Sequence, residues 1–171
     1  MPVHRIGLLS DTHGHLHPAT FGHFEGVEMI LHAGDVCDEG ILDELEALAP
    51  TFAVGGNCDA SSPRLPPLRV IDAPFGKAVL THSHLLGMKS GDAQAMARHF
   101  QPQSPRLILF GHTHLPLRRM VGSTWVVNPG PAGRPRLRDK PQITRLDWDS
   151  DGDRWSFVDL ALDWPAVGGR R

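Results

Sequence analysis

Five short apolar runs in this chain each stop just before side chains that can titrate or hold a metal. Ile6-Gly7-Leu8-Leu9-Ser10 leads into Asp11 and His13. Met29-Ile30-Leu31-His32-Ala33-Gly34 leads into Asp35, and Phe52-Ala53-Val54-Gly55-Gly56 into Asn57. Ala78-Val79-Leu80-Thr81 leads into His82, and Leu107-Ile108-Leu109-Phe110-Gly111 into His112 and His114. Runs of this kind read as buried strands. Ligands of open α/β sheets sit beyond the carboxyl ends of strands. Packing has no use for Asp, Asn and His along that edge, so the pattern predicts a preformed metal site.

Between these runs lie helix-like segments: Pro18 to Phe24, Asp38 to Ala49, and Ser90, as N-cap, to about Phe100. In the second, Ile41, Leu42, Leu45 and Leu48 share a face, Asp38 and Glu39 favour the N-terminus, and Pro50 ends it. In the third, Ala93, Met96, Ala97 and Phe100 form the apolar face. Pro116 to Val121 and Thr124 to Val127 read as strands turned at Gly122-Ser123. Gln142 to Asp147 and Arg154 to Leu160 read as a hairpin around Ser150-Asp151-Gly152-Asp153. The expected fold class is α/β, an α+β four-layer sandwich: two mixed β-sheets packed face to face with helices on the outside. At 171 residues, the expectation is one domain over 1–165 and a flexible tail over 166–171.

A net charge of −2 offers no general attraction for nucleic acid or an anionic membrane. No stretch approaches the ~20 apolar residues of a membrane span, and the N-terminus lacks the features of a signal peptide. Cys37 and Cys58 form no CxxC pair, which excludes zinc-ribbon and thioredoxin readings and favours a reducing cytoplasm. Asp147-x-Asp149-x-Asp151-Gly152 matches half a calcium loop. Val158 stands where Glu is needed, and a polar hairpin turn is the better account.

Carboxylate and amide oxygens favour hard cations and imidazole favours borderline ones, so the mixed set suits Mn²⁺, Fe or Zn²⁺. Seven donors exceed what one tetrahedral ion uses. They suit two ions ~3.5–4 Å apart, which acidify a shared water.

Five blocks in order, Asp11-Thr12-His13, Gly34-Asp35-Val36-Cys37-Asp38, Gly56-Asn57-Cys58-Asp59, Thr81-His82-Ser83-His84 and Gly111-His112-Thr113-His114, followed by Asn128-Pro129-Gly130, resemble the calcineurin-like metallophosphoesterase superfamily. The length and the Gly-Asn-Cys-Asp block look most like its small YfcE-type phosphodiesterases. The resemblance implies that Asp11, His13 and His114 hold one divalent ion, that Asn57, His82 and His112 hold a second, and that Asp35 bridges them. It implies Mn²⁺ first, with Fe, Zn²⁺, Ni²⁺ and Mg²⁺ as alternatives, and hydrolysis of a small phosphate ester by attack of a hydroxide bridging the metals. A homodimer is the family-level expectation. The competing readings are a phosphomonoesterase, small-molecule or protein-directed, and a non-catalytic interaction scaffold.

Around that set, His84 is expected to reach the substrate or leaving group. Cys58 stands where many relatives carry His, and it is a candidate proton donor. Asp38 is expected to cap the following helix and Asp59 to orient a neighbouring His. Ser83 replaces the usual Gly and narrows the pocket; Pro131 replaces a common Ser and removes a hydroxyl. Arg134, Arg136 and Arg138 are read as solvated, with substrate phosphate as the alternative. His4, His17, His23, His32 and His99 are read as surface or packing residues, and His15 has no assigned partner.

Overall fold

The computed structural model describes residues 2–88, 91–136 and 139–165. Ser90, Arg138 and the expected tail 166–171 lie outside them. The first sheet contains β1 (Val3–Leu9), β2 (Met29–His32), β3 (Thr51–Ala53), β9 (Gln142–Asp149) and β10 (Arg154–Ala161) in the order β10-β9-β1-β2-β3. The second contains β4 (Leu68–Ala73), β5 (Gly76–Thr81), β6 (Leu107–Phe110), β7 (Leu117–Val121) and β8 (Thr124–Asn128) in the order β4-β5-β6-β8-β7. Each sheet has a parallel centre, β1-β2-β3 and β5-β6-β8, with antiparallel strands beside it. The parallel centres aim the carboxyl ends of β1, β2, β3, β5 and β6 toward one edge.

Three apolar layers explain the sandwich. Between the sheets, Ile6, Leu8 and Leu31 meet Ala78, Leu80, Leu107, Leu109 and Val127. On the outer face of the first sheet, Leu9 and Ile30 pack against Phe24, Ile41, Leu42 and Leu45 from the segments of α1 (Ala19–His23) and α2 (Gly40–Glu46). On the outer face of the second, Val79, Ile108, Phe110 and Val126 pack against Met96 and Phe100 around α3 (Ala93–His99). Central strands apolar on both faces are what these runs required. Each fully buried Leu, Ile or Phe contributes roughly 1.5–3 kcal/mol.

Several boundaries differ from the sequence reading. The second helix spans Gly40–Glu46 rather than Asp38 to Ala49, because the Asp38 carboxylate accepts the Gly40 N–H (2.9 Å) and holds the chain in a turn before the helix. The third begins after Asp92, whose side chain accepts the Ala95 N–H (2.9 Å); the N-cap is therefore Asp92 and not Ser90. Strand β4 was not expected at all. It follows Pro63, Pro66 and Pro67, and it is an edge strand that alternates Arg69 and Asp72 with apolar residues. No described helix is long and apolar enough to cross a membrane.

Candidate metal centre

The loops after β1, β2, β3, β5 and β6 meet at one edge of the sandwich. Backbone bonds lock the first two together: Asp11 N–H to the Gly34 carbonyl (2.9 Å), His13 N–H to the Asp35 carbonyl (2.9 Å) and Gly14 N–H to the Val36 carbonyl (2.8 Å). Asp59 ties in the third by accepting the N–H groups of Val36, Cys37 and Gly56 at 3.2, 2.7 and 2.7 Å. It therefore holds backbone in place, where the sequence reading had it orienting a histidine. Asn128 fixes the fifth loop, its amide donating to the Gly111 carbonyl and the Thr113 hydroxyl. The loops approach so closely that a Cβ at Gly56 would lie 2.1 Å from Asp35 Oδ1, and one at Gly111 would lie 2.1 Å from Ser10 Oγ. Only glycine fits.

Among the described residues, nine non-glycine residues have positive φ, and seven of them are here: Asp11, His13, Asp35, Cys37, Ser83, His112 and His114. Such conformations cost of order 1–3 kcal/mol each and persist only where the surroundings impose them. Strain concentrated in the donor loops is a mark of function rather than of packing.

Two groups of donors that include carboxylates converge within 4.8 Å: Asp11 with His13 and His114, and Asp11 with Asp35 and His82. Both carboxylates are buried. Asp11 accepts the Ser10 hydroxyl (2.6 Å) and faces the His112 N–H (3.3 Å). Asp35 Oδ1 accepts the Cys58 N–H (2.8 Å), while its Oδ2 lies 3.3 Å from His82 Nε2 and 3.8 Å from His13 Nε2. Asp35 thus reaches both groups, and so does Asp11. Five of the seven expected ligands fall within these groups. His112 stands beside them, its ring 5.2 Å from that of His82. The amide nitrogen of Asn57, at the exposed rim, donates to Cys58 Sγ (3.4 Å).

The imidazoles test whether cations fit. His82 Nδ1 donates to the Ala33 carbonyl (2.8 Å), so its buried Nε2 points inward without a hydrogen-bond partner, 3.3 Å from Asp35 and 3.9 Å from Asp11. His114 Nδ1 donates to Asp139 (3.0 Å), which aims its Nε2 at Asp11 Oδ1 (3.3 Å) and His13 Nε2 (3.1 Å). Acceptors facing acceptors can be reconciled only by a proton or a cation. Without metal, protons serve. The bond to Asp11 raises His114 to about 9, against burial and with help from Asp139. His82 is also raised: burial opposes its charge, but Asp35 and Asp11 outweigh burial. Asp35 falls well below the ordinary carboxylate range, because the close His82 ring and the bond from the Cys58 N–H overcome burial. Carboxylates held ionised and imidazoles anchored through Nδ1 are the donor set that divalent cations need.

Asp139, Ser10 and His32 were not singled out from sequence as parts of this site, and Arg136 was read as solvated with substrate phosphate as the alternative. Asp139 sits in a polar loop between prolines. Ser10 precedes the first carboxylate. Arg136 lies close enough for its charge to help lower His13, although burial is the larger cause. His32, read as a packing or surface residue, is wholly buried beneath the loops, with Nε2 3.0 Å from the Thr12 hydroxyl, and burial lowers it to about 4. A cavity of about 210 Å³ adjoins the centre, bordered by Gly56, Asp59, Leu65, His84 and Leu85. His84 Nδ1 is buried and unpartnered. A larger cavity of about 440 Å³, near Arg98 and Arg106, lies at the opposite strand ends and touches none of the donors.

The family model of the calcineurin-like phosphoesterase superfamily domain matches residues 5–151. The chain belongs to that superfamily. It is a metal-dependent phosphoesterase. It is 34% identical over 149 residues to a probable metallophosphoesterase of Methanothermobacter thermautotrophicus, covering 83% of this chain and 86% of the relative. It is 29% identical over 171 residues to the phosphodiesterase YfcE of Escherichia coli, covering 85% and 88%. Its fold matches Vps29 of Entamoeba histolytica, solved in complex with Zn²⁺, with a TM-score of 0.71 at 19% identity, covering 93% of this chain and 99% of that one.

Proposed function

We propose that the chain is a phosphodiesterase for small phosphate diesters, with two divalent cations, Mn²⁺ first, in its donor cluster. Asp11, His13 and His114 would hold one ion, His82, His112 and Asn57 the other, and Asp35 would serve both. The observation that carries this reading is His82 Nε2, buried, free of any hydrogen bond and facing two carboxylates. When bound, such a pair supplies Lewis acidity toward phosphoryl oxygens and a water acidified to hydroxide near neutral pH. The chain's own residues do the rest. Ala33 and Asp139 fix the tautomers of His82 and His114. Cys58 keeps its proton, because burial and the neighbouring Asp35 raise its thiol. His84 borders the cavity beside the centre, where the ester group that is not cleaved is seated, and Cys58 gives its proton to the leaving oxygen. Diesters are favoured because that cavity gives a second ester group a place. The reading includes cytoplasmic action and the homodimer implied by the resemblance.

The test is hydrolysis of bis(p-nitrophenyl) phosphate against p-nitrophenyl phosphate by Mn²⁺-loaded protein. A higher kcat/KM on the diester is expected. A higher value on the monoester overturns the substrate assignment.

A further inference from the structure

Beside the carboxylate-rich centre lies a second group of donors of different chemistry. A ring nitrogen of His13 and the sulfurs of Cys37 and Cys58 lie within 4.8 Å of one another. Cys37 Sγ is 3.7 Å from His13 Nδ1 and 3.8 Å from the Cys58 carbonyl oxygen. Both cysteines are exposed and unbridged, so an ion can reach them from solvent. The loops after β2 and β3 that carry them are held together through Asp59, which accepts the Cys37 N–H (2.7 Å) and the Gly56 N–H (2.7 Å). The group is therefore built into the framework and does not depend on two free loops meeting by chance.

We propose that Cys37, Cys58 and His13 form a separate site for a thiophilic cation of the Zn²⁺ and Cd²⁺ class at the lip of the metal centre. Two sulfurs and one imidazole make a three-donor set with an open position for water, and sulfur selects soft ions over Mn²⁺ or Mg²⁺. The surroundings favour positive charge. Asp59 accepts the Cys37 N–H (2.7 Å) and Asp35 accepts the Cys58 N–H (2.8 Å), so two carboxylates stand beside the sulfur pair. On binding, both thiol protons leave to solvent as the metal–sulfur bonds form, and where His13 already holds an ion through Nε2 its Nδ1 proton leaves as well. The site goes beyond the phosphodiesterase reading and shares only the His13 ring with the two-cation cluster. An ion here also takes the Cys58 proton, so thiophilic ions inhibit the enzyme.

The test is a Cd²⁺ titration of reduced, Mn²⁺-loaded protein, followed by sulfur-to-cadmium charge-transfer absorption. Displacement of Mn²⁺ from oxygen and nitrogen donors gives no such band. The native chain should develop the band with one equivalent. Cys37→Ser and Cys58→Ser should each weaken Cd²⁺ binding roughly 100-fold, since a three-donor site loses one strong ligand. Circular dichroism checks that both variants fold. A full band surviving in either variant, or no band in the native chain, overturns the proposal. If Asp35→Asn loses Mn²⁺ but keeps the band, the two sites are independent, as proposed.

Discussion

Asp11 and Asp35 in the donor loops carry the same side chain as Asp149 and Asp153 at the β9–β10 turn, in opposite settings. The first pair is buried, and each carboxylate faces imidazole nitrogens whose other nitrogen is already committed. The second pair lies at the solvent side of a hairpin. Asp149 is paired with Arg154, and Asp153 accepts from Trp148 and Arg106, contacts that lower both carboxylates. At the turn both of these negative charges already have a permanent partner. In the loops the partner is a proton that a cation can replace. A local sequence pattern made the turn resemble half a calcium site, whereas five separate segments make the real cluster.

The contrast is sharpest at Asp35. Asp35→Asn should lower kcat/KM by roughly 10²–10³-fold or more, the range for losing one preorganised electrostatic group, and should release metal. Asp149→Asn should change neither. Equal effects on metal content would erase the distinction between the two regions.

His32 tests how firmly the loops rest on their base. Its folded value of about 4 lies below the ordinary 6.5, so between those values the unfolded chain binds more protons. The contribution of His32 is whole above about 6.5 and falls as pH drops toward 4. The span corresponds to about 3 kcal/mol. Urea unfolding of metal-free protein should show this slope, and His32→Gln should flatten it. An unchanged slope in the variant would assign the pH dependence elsewhere.

Asp139→Asn is expected to have a smaller effect. It weakens the anchor of His114 without removing a ligand, and metal affinity should fall 10–100-fold. Calorimetric titration with Mn²⁺ measures it. Asp153→Asn should have the least effect, leaving Mn²⁺ affinity unchanged in the same titration; a drop would show that the turn communicates with the centre.

The donors were legible because each follows a run that can only be a strand, and strand ends in parallel sheets share an edge. The four layers were legible for the same reason. Other features depend on contacts between distant segments. Asp139 meets His114 across 25 residues of chain, and His32 reaches Thr12 across 20. Neither pairing leaves a local spacing. Strand β4 was hidden by the prolines that precede it. The start of α3 turned on which of two good caps, Ser90 or Asp92, is used.

The most direct measurement is an anomalous difference map at the manganese edge from crystals grown with Mn²⁺. The account predicts two peaks ~3.5–4 Å apart, one among Asp11, His13 and His114 and one beside His82, with Asp35 between them. A single peak, an empty cluster, or manganese at the β9–β10 turn instead would contradict it.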